Sequence, residues 1–466
     1  MNRRDFLAVS GAAALSGPLA GFARADGTAG AARAAAARCA APCAVPADYS
    51  LRIAPLKLEL APGKAVHTVA YNGVVPGPVI RLKQGAPVTV DVVNDSGDDE
   101  FVHWHGLTIP ADVDGAKDEG SPPIPAHGRR SYTFTPNPAG TRWYHSHTFA
   151  GKNFNRSTYT GQFGFLLIDA PDEPGRFDQE VFIALHDWDG FVTGGDDGFE
   201  MVGYRYSSIN GRLLGADDPI RVREGERVLV RVLNASASEA HSLSLPGHRF
   251  RVQALDGNSV PTPAAVETLT LQPGERVDAL VEMNTPGVWI LGEPADAFRN
   301  AGLGVVVEYA SRNGAPQWLA PSATAWDYRL FADQSPPPRA GEQHVERILL
   351  TIRSVFRGHG DFEHWSINGK QYPKTDLVPL TSGARYRLAL ENTSTEDHPI
   401  HLHRHTFELT NYAGVPTSGV RKDVVTLPAH GTCEVDFTAA APGKALFHCH
   451  LQDHMDAGFM MLFDCR

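Results

Sequence analysis

One unit is written three times along this chain, and the repeat constrains the fold more than any other feature. Each copy opens on an Asn-Gly pair, at Asn72-Gly73, Asn210-Gly211 and Asn368-Gly369. A glycine then precedes an asparagine by nine residues: Gly85 to Asn94, Gly225 to Asn234 and Gly383 to Asn392. Between them apolar residues alternate, as at Val228, Val230 and Val232, the period-two mark of a strand half-buried against a core. A Pro/Gly turn follows, at Pro125 to Gly128, Pro273-Gly274 and Pro428 to Gly431, and each unit closes on a glycine, at Gly140, Gly287 and Gly443. Repeats are read before single elements, and three units of short strands and regular turns predict an all-β chain of three β-sandwiches. A chain of 466 residues agrees, at ~150 residues per domain.

The copies differ in what they carry. Nine residues after Asn94 comes His103-Trp104-His105, and nine after Asn392 comes His401-Leu402-His403. Five residues after Gly140 comes His145-Ser146-His147, and five after Gly443 comes His448-Cys449-His450. The middle copy has a lone His241 ahead of Ser242-Leu243-Ser244, and Gly292 at the final position. The scaffold therefore does not need these histidines, and their match in the outer copies points to metal ligands. Two related domains, each presenting four histidines on strand faces, would meet across a pseudo-twofold interface and enclose metals that neither holds alone.

The segment Leu446-Phe447-His448-Cys449-His450-Leu451, followed by His454, joins two such sites. Successive side chains of a strand leave opposite faces, so His448 and His450 point one way and Cys449 the other. A thiolate and an imidazole suit a copper cycling between Cu(I) and Cu(II), with Cys449 and His454 as two of three ligands of a trigonal His₂Cys centre. The backbone from Cys449 to either neighbour would then carry electrons between that centre and a cluster behind the strand.

His103-Trp104-His105-Gly106, His145-Ser146-His147, His398-Pro399-Ile400-His401-Leu402-His403 and His448-Cys449-His450 with His454 resemble the four copper signatures of the three-domain multicopper oxidases, the laccase family. The likeness spans residues 47 to 466. It implies three cupredoxin-like Greek-key β-sandwich domains, expected at 47–172, 173–312 and 313–466. It implies four copper ions: type 1 on His398, Cys449 and His454; type 2 on His103 and His401; and a type 3 pair, one on His105, His145 and His450, the other on His147, His403 and His448. The activity implied is four one-electron oxidations at the type 1 site coupled to reduction of O2 to water. Asp114, in Asp112-Val113-Asp114-Gly115, resembles the acidic residue that relatives place near the type 2 copper to supply protons.

Ten residues after Cys449 stands Phe459, where many bacterial relatives carry methionine. A weak axial thioether lowers the potential of such a site, so a non-ligating Phe459 predicts a higher one. Alternation puts Met460 on the opposite face, unless a bulge intervenes. Arg404 stands where relatives commonly have glycine, and is expected to tighten a loop or form an outward salt bridge. His405 is expected to be a bystander, and His127 and His430, in matching turns, to be structural. His186, His241, His248, His344, His359 and His364 have no motif context.

Ahead of the repeats, Arg3-Arg4-Asp5-Phe6-Leu7, a weakly apolar run and Ala23-Arg24-Ala25 resemble a twin-arginine export signal over 1–25, followed by an Ala-rich linker over 26–46. Periplasmic or secreted localisation through the twin-arginine machinery is expected, with no membrane span in the mature chain. In that oxidising setting the cysteines other than Cys449, namely Cys39, Cys43, Cys433 and Cys465, are expected to form two disulfides in any of three pairings. The formal net charge of −11 excludes a nucleic-acid partner. The partners that the resemblance implies are a small-molecule reductant and O2. Only six methionines and no Met-rich segment favour phenolic or aromatic amine donors. A metallo-oxidase for Cu(I), Fe(II) or Mn(II) is the alternative, for which Glu391, Glu396 and Asp397 near His398 are candidates. A non-enzymatic cupredoxin scaffold would not need the intact ligand set, and a copper nitrite reductase would not need eight histidines.

Overall fold

The computed structural model describes residues 47–169, 177–194, 200–310, 312–322, 326–334, 345–355, 363–439 and 442–466. The export signal and linker, with Cys39, Cys43, His344 and His359, lie outside the described residues.

The regular structure of the described residues is almost entirely β. Six small sheets form three cupredoxin-like sandwiches: two sheets of four strands, then twice a sheet of seven with one of five. The first pair draws on strands from Tyr49–Ala61 to Phe163–Asp169, the second on Gln179–Gly194 to Gly304–Tyr309, the third on Glu346–Val355 to Met460–Cys465. In each sandwich the opening strand pairs in parallel with the strand ending on the repeat's asparagine: Val88–Asn94, Arg227–Asn234 or Arg385–Asn392. Among the described residues no helix is long and apolar enough to cross a membrane.

The repeated residues have local causes. Asn72 and Gly73 (φ +53° and +70°), Asn210 and Gly211 (+52° and +73°), and Asn368 and Gly369 (+50° and +76°) are all left-handed, the backbone that a two-residue primed turn demands and that Asn and Gly adopt most cheaply. The asparagine ending each strand works differently. Its Oδ1 accepts from the backbone N of Ser96, Ser236 or Ser394, each at 2.9 Å. Its Nδ2 donates to the carbonyl of Asp98, Glu239 or Glu396. This Asx turn folds the loop that delivers the next strand, which in the outer sandwiches carries the His-x-His pair.

Buried apolar side chains of the second and third sandwiches form one continuous cluster, including Val230, Leu255, Phe331, Trp365 and Phe463. The first sandwich has its own core around Val90, Trp104 and Tyr132. A third cluster, with Trp143, Phe165, Trp188 and Leu233, bonds the first sandwich to the second. The expectation of two disulfides is corrected here: among the described residues the Cys433 thiol is free, and it is fully buried. It faces the shared apolar core, as does buried Cys465, so both serve as small core-filling residues.

Candidate metal centre

His398 opens the strand His398–Leu402, and Cys449 ends the neighbouring strand Gly443–Cys449. His454 follows on the short helix Gln452–Asp456. Their donor atoms converge: Cys449 Sγ lies 3.8 Å from His398 Nδ1 and 3.6 Å from His454 Nδ1, and the two nitrogens are 3.2 Å apart. All three side chains are buried. His398 Nε2 meets Ser394 Oγ at 3.0 Å, and His454 Nε2 meets Glu396 Oε2 at 3.1 Å. A carboxylate only accepts, so His454 carries a hydrogen on Nε2, and Nδ1 is the nitrogen that faces Cys449 and His398. Phe459 is buried with its ring 5.0 Å from that of His398, while Met460 is part-exposed and pairs across the strand with His448.

Eight further histidines meet between the first and third sandwiches. Strand Val102–His105 pairs with Gly140–Ser146 so that His103 is opposite His145; strand His398–Leu402 pairs with Gly443–Cys449 so that His401 is opposite His448. Across the interface rings stack in crossed pairs, His103 on His403 at 3.9 Å and His105 on His401 at 3.8 Å. Three groups have donor atoms within 4.8 Å of one another: His103, His105 and His401; His105, His145 and His450; and His147, His403 and His448.

Hydrogen bonding fixes which nitrogen is available. His103, His145, His401 and His448 each aim Nδ1 at a backbone carbonyl, of Asp114, Ser146, Asp423 and Cys449 respectively, at 2.6 to 2.9 Å. A carbonyl cannot donate, so the hydrogen is on Nδ1 and Nε2 keeps its lone pair. His403 Nδ1 faces Asp114 Oδ2 at 3.0 Å, with the same result. His105 is reversed, its Nε2 on Asp423 Oδ1 at 3.1 Å. Consequently His403 Nε2 and His448 Nε2 face each other lone pair to lone pair at 3.0 Å, and His105 Nδ1 faces His145 Nε2 at 3.4 Å. Nε2 of His103, His147, His401 and His450 is buried with no partner among the described residues. Facing lone pairs in a dry interface are repulsive unless a cation lies among them, and imidazoles in carbonyl- or carboxylate-backed pairs are the usual metal ligands. Burial first, then the neighbouring histidines, push the pKa of His105, His145, His147, His401 and His448 well below 6.5 and that of His450 to about 3. They stay neutral, as ligation requires. The chain thus fits a type 1 copper at the thiolate group and type 2 and type 3 coppers at the histidine groups.

Carboxylates surround the eight rings. Asp114 is brought beneath His103 by Gly115, whose φ of +93° and close approach, with a Cβ only 1.8 Å from the Val102 carbonyl oxygen, admit no side chain. Burial alone would raise the Asp114 pKa, but His103 and His403 outweigh it and hold the carboxyl ionised. Glu119, which sequence reasoning missed, accepts from Leu446 N at 2.6 Å and lies 3.2 Å from His403 Nδ1. Burial, and then the Asp114 carboxylate, push its pKa well up. Asp423 was also missed; its carboxylate meets His105 and its carbonyl meets His401. Neither residue sits in a recognisable spacing.

The remaining expectations divide. Arg404 does not point outward: it is 1% exposed, has φ +64°, and donates to the carbonyls of Ile109, Lys444 and Pro442, tying the first sandwich to the third. His405 Nδ1 donates to the His403 carbonyl. His127 and His430 are exposed in left-handed turns away from the groups. Of the three acids near His398, only Glu396 reaches His454; Glu391 accepts from Thr351 and Asp397 caps Ala429 N.

Comparison with known proteins agrees with this geometry. Models described as "Multicopper oxidase" match residues 53–173, 199–301 and 348–466. The chain is 29% identical to multicopper oxidase MmcO of Mycobacterium tuberculosis, over 88% of this chain and 85% of that one. Among solved structures, it resembles the laccase of Botrytis aclada (TM-score 0.72, 22% identity, 89% and 87% of the two chains). It also resembles a Campylobacter jejuni multicopper oxidase described as a metallo-oxidase (TM-score 0.68, 20% identity, 90% and 91%). Three sandwiches, each matched by its own model, with the thiolate group in the last and the histidine groups between the outer two, make this chain a member of the three-domain multicopper oxidase family.

Proposed function

We propose that the protein is a laccase-like oxidase, taking electrons singly from phenolic or aromatic amine donors and passing four of them to O2. The type 1 copper is assigned to His398, Cys449 and His454, with Phe459 at the axial position as a non-ligand. Type 2 is assigned to His103 and His401, and the type 3 pair to His105, His145 and His450 and to His147, His403 and His448. When bound, these ions supply one-electron oxidation of the donor and reduction of O2 to water. The observation that carries the reading is the set of lone pairs facing one another across the interface, 3.0 Å apart at His403 and His448.

The chain's own groups do the rest. Cys449 shares peptide bonds with His448 and His450, a covalent path from the thiolate group to the histidine groups. His454 presents Nε2–H to Glu396, whose side chain is 43% exposed, so a phenol arriving there meets an electron acceptor and a carboxylate able to take its proton. Asp114 spans His103 and His403, one from each half of the cluster, and serves proton delivery. A second reading, a metallo-oxidase for Cu(I), Fe(II) or Mn(II), is favoured by one contact: Glu363 hydrogen-bonds Glu396, giving two carboxyl groups near His454.

Steady-state kinetics of the copper-loaded protein on a phenol, an aromatic amine, Cu(I), Fe(II) and Mn(II) decide between them. The highest kcat/KM is expected for the phenol or the amine; a metal ion ranking first moves the assignment to the second reading. Export through the twin-arginine system to the periplasm or beyond is proposed from Arg3-Arg4. A double Arg→Lys change should leave the protein in the cytoplasm.

A further inference from the structure

The middle sandwich contributes no histidine to the groups above, yet its side chains reach toward them, Arg276 above all. Arg276, fully buried, uses all five guanidinium N–H bonds. Nη1 donates to Asp423 Oδ1 at 2.6 Å and to the Gly274 carbonyl at 2.9 Å; Nη2 donates to Asp423 Oδ2 at 2.6 Å and to the Asp256 carbonyl at 3.2 Å; Nε donates to the Thr141 carbonyl at 3.3 Å. The two bonds to Asp423 form a bidentate fork, the strongest and most directional pairing available to a carboxylate. Asp423 is held from other sides by Arg142 of the first sandwich at 3.0 Å and, through its backbone N, by Asp256 at 3.2 Å.

The held residue carries two ligand candidates. Asp423 Oδ1 accepts from His105 Nε2 at 3.1 Å, and its carbonyl accepts from His401 Nδ1 at 2.6 Å. Those rings, one from the first sandwich and one from the third, stack at 3.8 Å and 12°. His105 is also the ring whose usable nitrogen is Nδ1, so without a carboxylate on Nε2 nothing selects that tautomer. The same turn of the middle sandwich touches a third ring: a Cβ on Gly274 (φ +88°) would stand 2.8 Å from His450 Cδ2.

We propose that Arg276 is a positioning residue for the trinuclear site, locking Asp423 so that the tautomer of His105 and the stacking of His105 on His401 are set before metal arrives. This gives the ligandless sandwich a part in the copper chemistry. The inference rests on the copper assignment above.

The test uses the full chain loaded with copper, as wild type, Arg276→Lys and Arg276→Gln. The readouts are copper affinity, the type 2 electron paramagnetic resonance signal, and the blue thiolate band of the type 1 site. Removing such an outer partner costs about 10–100-fold in metal affinity, so Arg276→Gln should lose type 2 copper by that factor while the blue band persists. Lysine keeps the charge without the fork, and Arg276→Lys should fall between. The blue band reports that the third sandwich is folded, because the type 1 ligands all lie in it, and an unchanged Tm reports the rest of the chain. Wild-type type 2 signal and affinity in Arg276→Lys and Arg276→Gln overturn the proposal, as does parallel loss of both signals in Arg276→Lys. Failure of the wild type to bind type 2 and type 3 copper would instead overturn the oxidase assignment itself.

Discussion

The Asp114 carboxylate bonds His403 Nδ1 at 3.0 Å, lies 3.3 Å from His103 Nδ1 and hydrogen-bonds Glu119, so it sits on the histidine groups and not on the thiolate group of Cys449 and His454. Asp114→Asn should therefore slow reoxidation of the fully reduced protein by O2 by roughly 10–100-fold while anaerobic reduction of the blue site by a phenol keeps its rate. Stopped-flow measurement of the two half-reactions checks this, and unchanged reoxidation removes Asp114 from proton delivery. Phe459 makes the complementary case, since its ring packs on His398 and offers no donor atom. Phe459→Met should lower the type 1 midpoint potential in redox titration. Both residues were singled out through the family resemblance, at positions that lie close to a motif. Asp423 was not, because Arg421-Lys422-Asp423 reads as a solvated charged turn; only tertiary packing leaves Lys422 at 1% and Asp423 at 0% exposure.

At the scale of elements, strand register shows one pocket built three times. His401 opposes His448 and Ile400 opposes Cys449, so His398 and Cys449 line the pocket of the third sandwich. In the first, His103 opposes His145, which places Glu100 and Ser146 at the corresponding positions, joined by a 2.9 Å hydrogen bond. In the second, Ser244 opposes Gly292, which places His241 and Glu293 there, 3.7 Å apart. The helix Asp296–Ala301 then puts Phe298 against His241 at 5.0 Å, where the third sandwich has His454 against His398 at 5.1 Å. A buried polar position needs a partner, so where the thiolate group is lost a polar pair fills the pocket, hydrogen-bonded in the first sandwich and an ion pair in the second. The repeat spacing showed the scaffold but hid this equivalence, because the loop after Asn234 is one residue longer and counting nine residues lands on Leu243. His241, left without context by its sequence, is the most strongly paired of the middle histidines. Burial would lower its pKa, but Asp187 at 2.8 Å, with Glu293, raises it to about 10; Glu239 and His186 are the other titratable groups nearby. A group at about 10 when folded and 6.5 in the open chain stabilises the fold fully below pH 6.5. It loses that contribution at ~1.4 kcal/mol per pH unit as pH rises toward 10. His241→Gln should thus melt well below wild type near neutrality, and the gap in Tm should narrow steadily toward pH 10; a gap independent of pH would mean that His241 is neutral in the fold.

For the whole molecule, the three sandwiches and the pairing of the outer two were legible because period-two strands and matched His-x-His pairs survive any loop length. How the middle sandwich grips the interface was not, since its contacts are made by charges far apart in the chain, such as Arg276 on Asp423. The interface itself makes a thermodynamic prediction. His103 stacks on His403 and His105 on His401, each pair joining the first sandwich to the third, so metal bound among these rings is bound by both sandwiches at once and not by either alone. Ligand that binds only the folded state adds stability, about 2.7 kcal/mol per site at a hundredfold excess over Kd. The thiolate group holds residues of one sandwich only, His398, Cys449 and His454. Calorimetry of the chelated protein, the loaded wild type and loaded Cys449→Ser should therefore rank unequally. Chelation should lower Tm sharply and lead the outer sandwiches to unfold out of step, whereas Cys449→Ser, colourless but retaining the interface metals, should stay close to the loaded wild type. If Cys449→Ser instead melted with the chelated form, copper would be stabilising the third sandwich from within and the interface would hold without it.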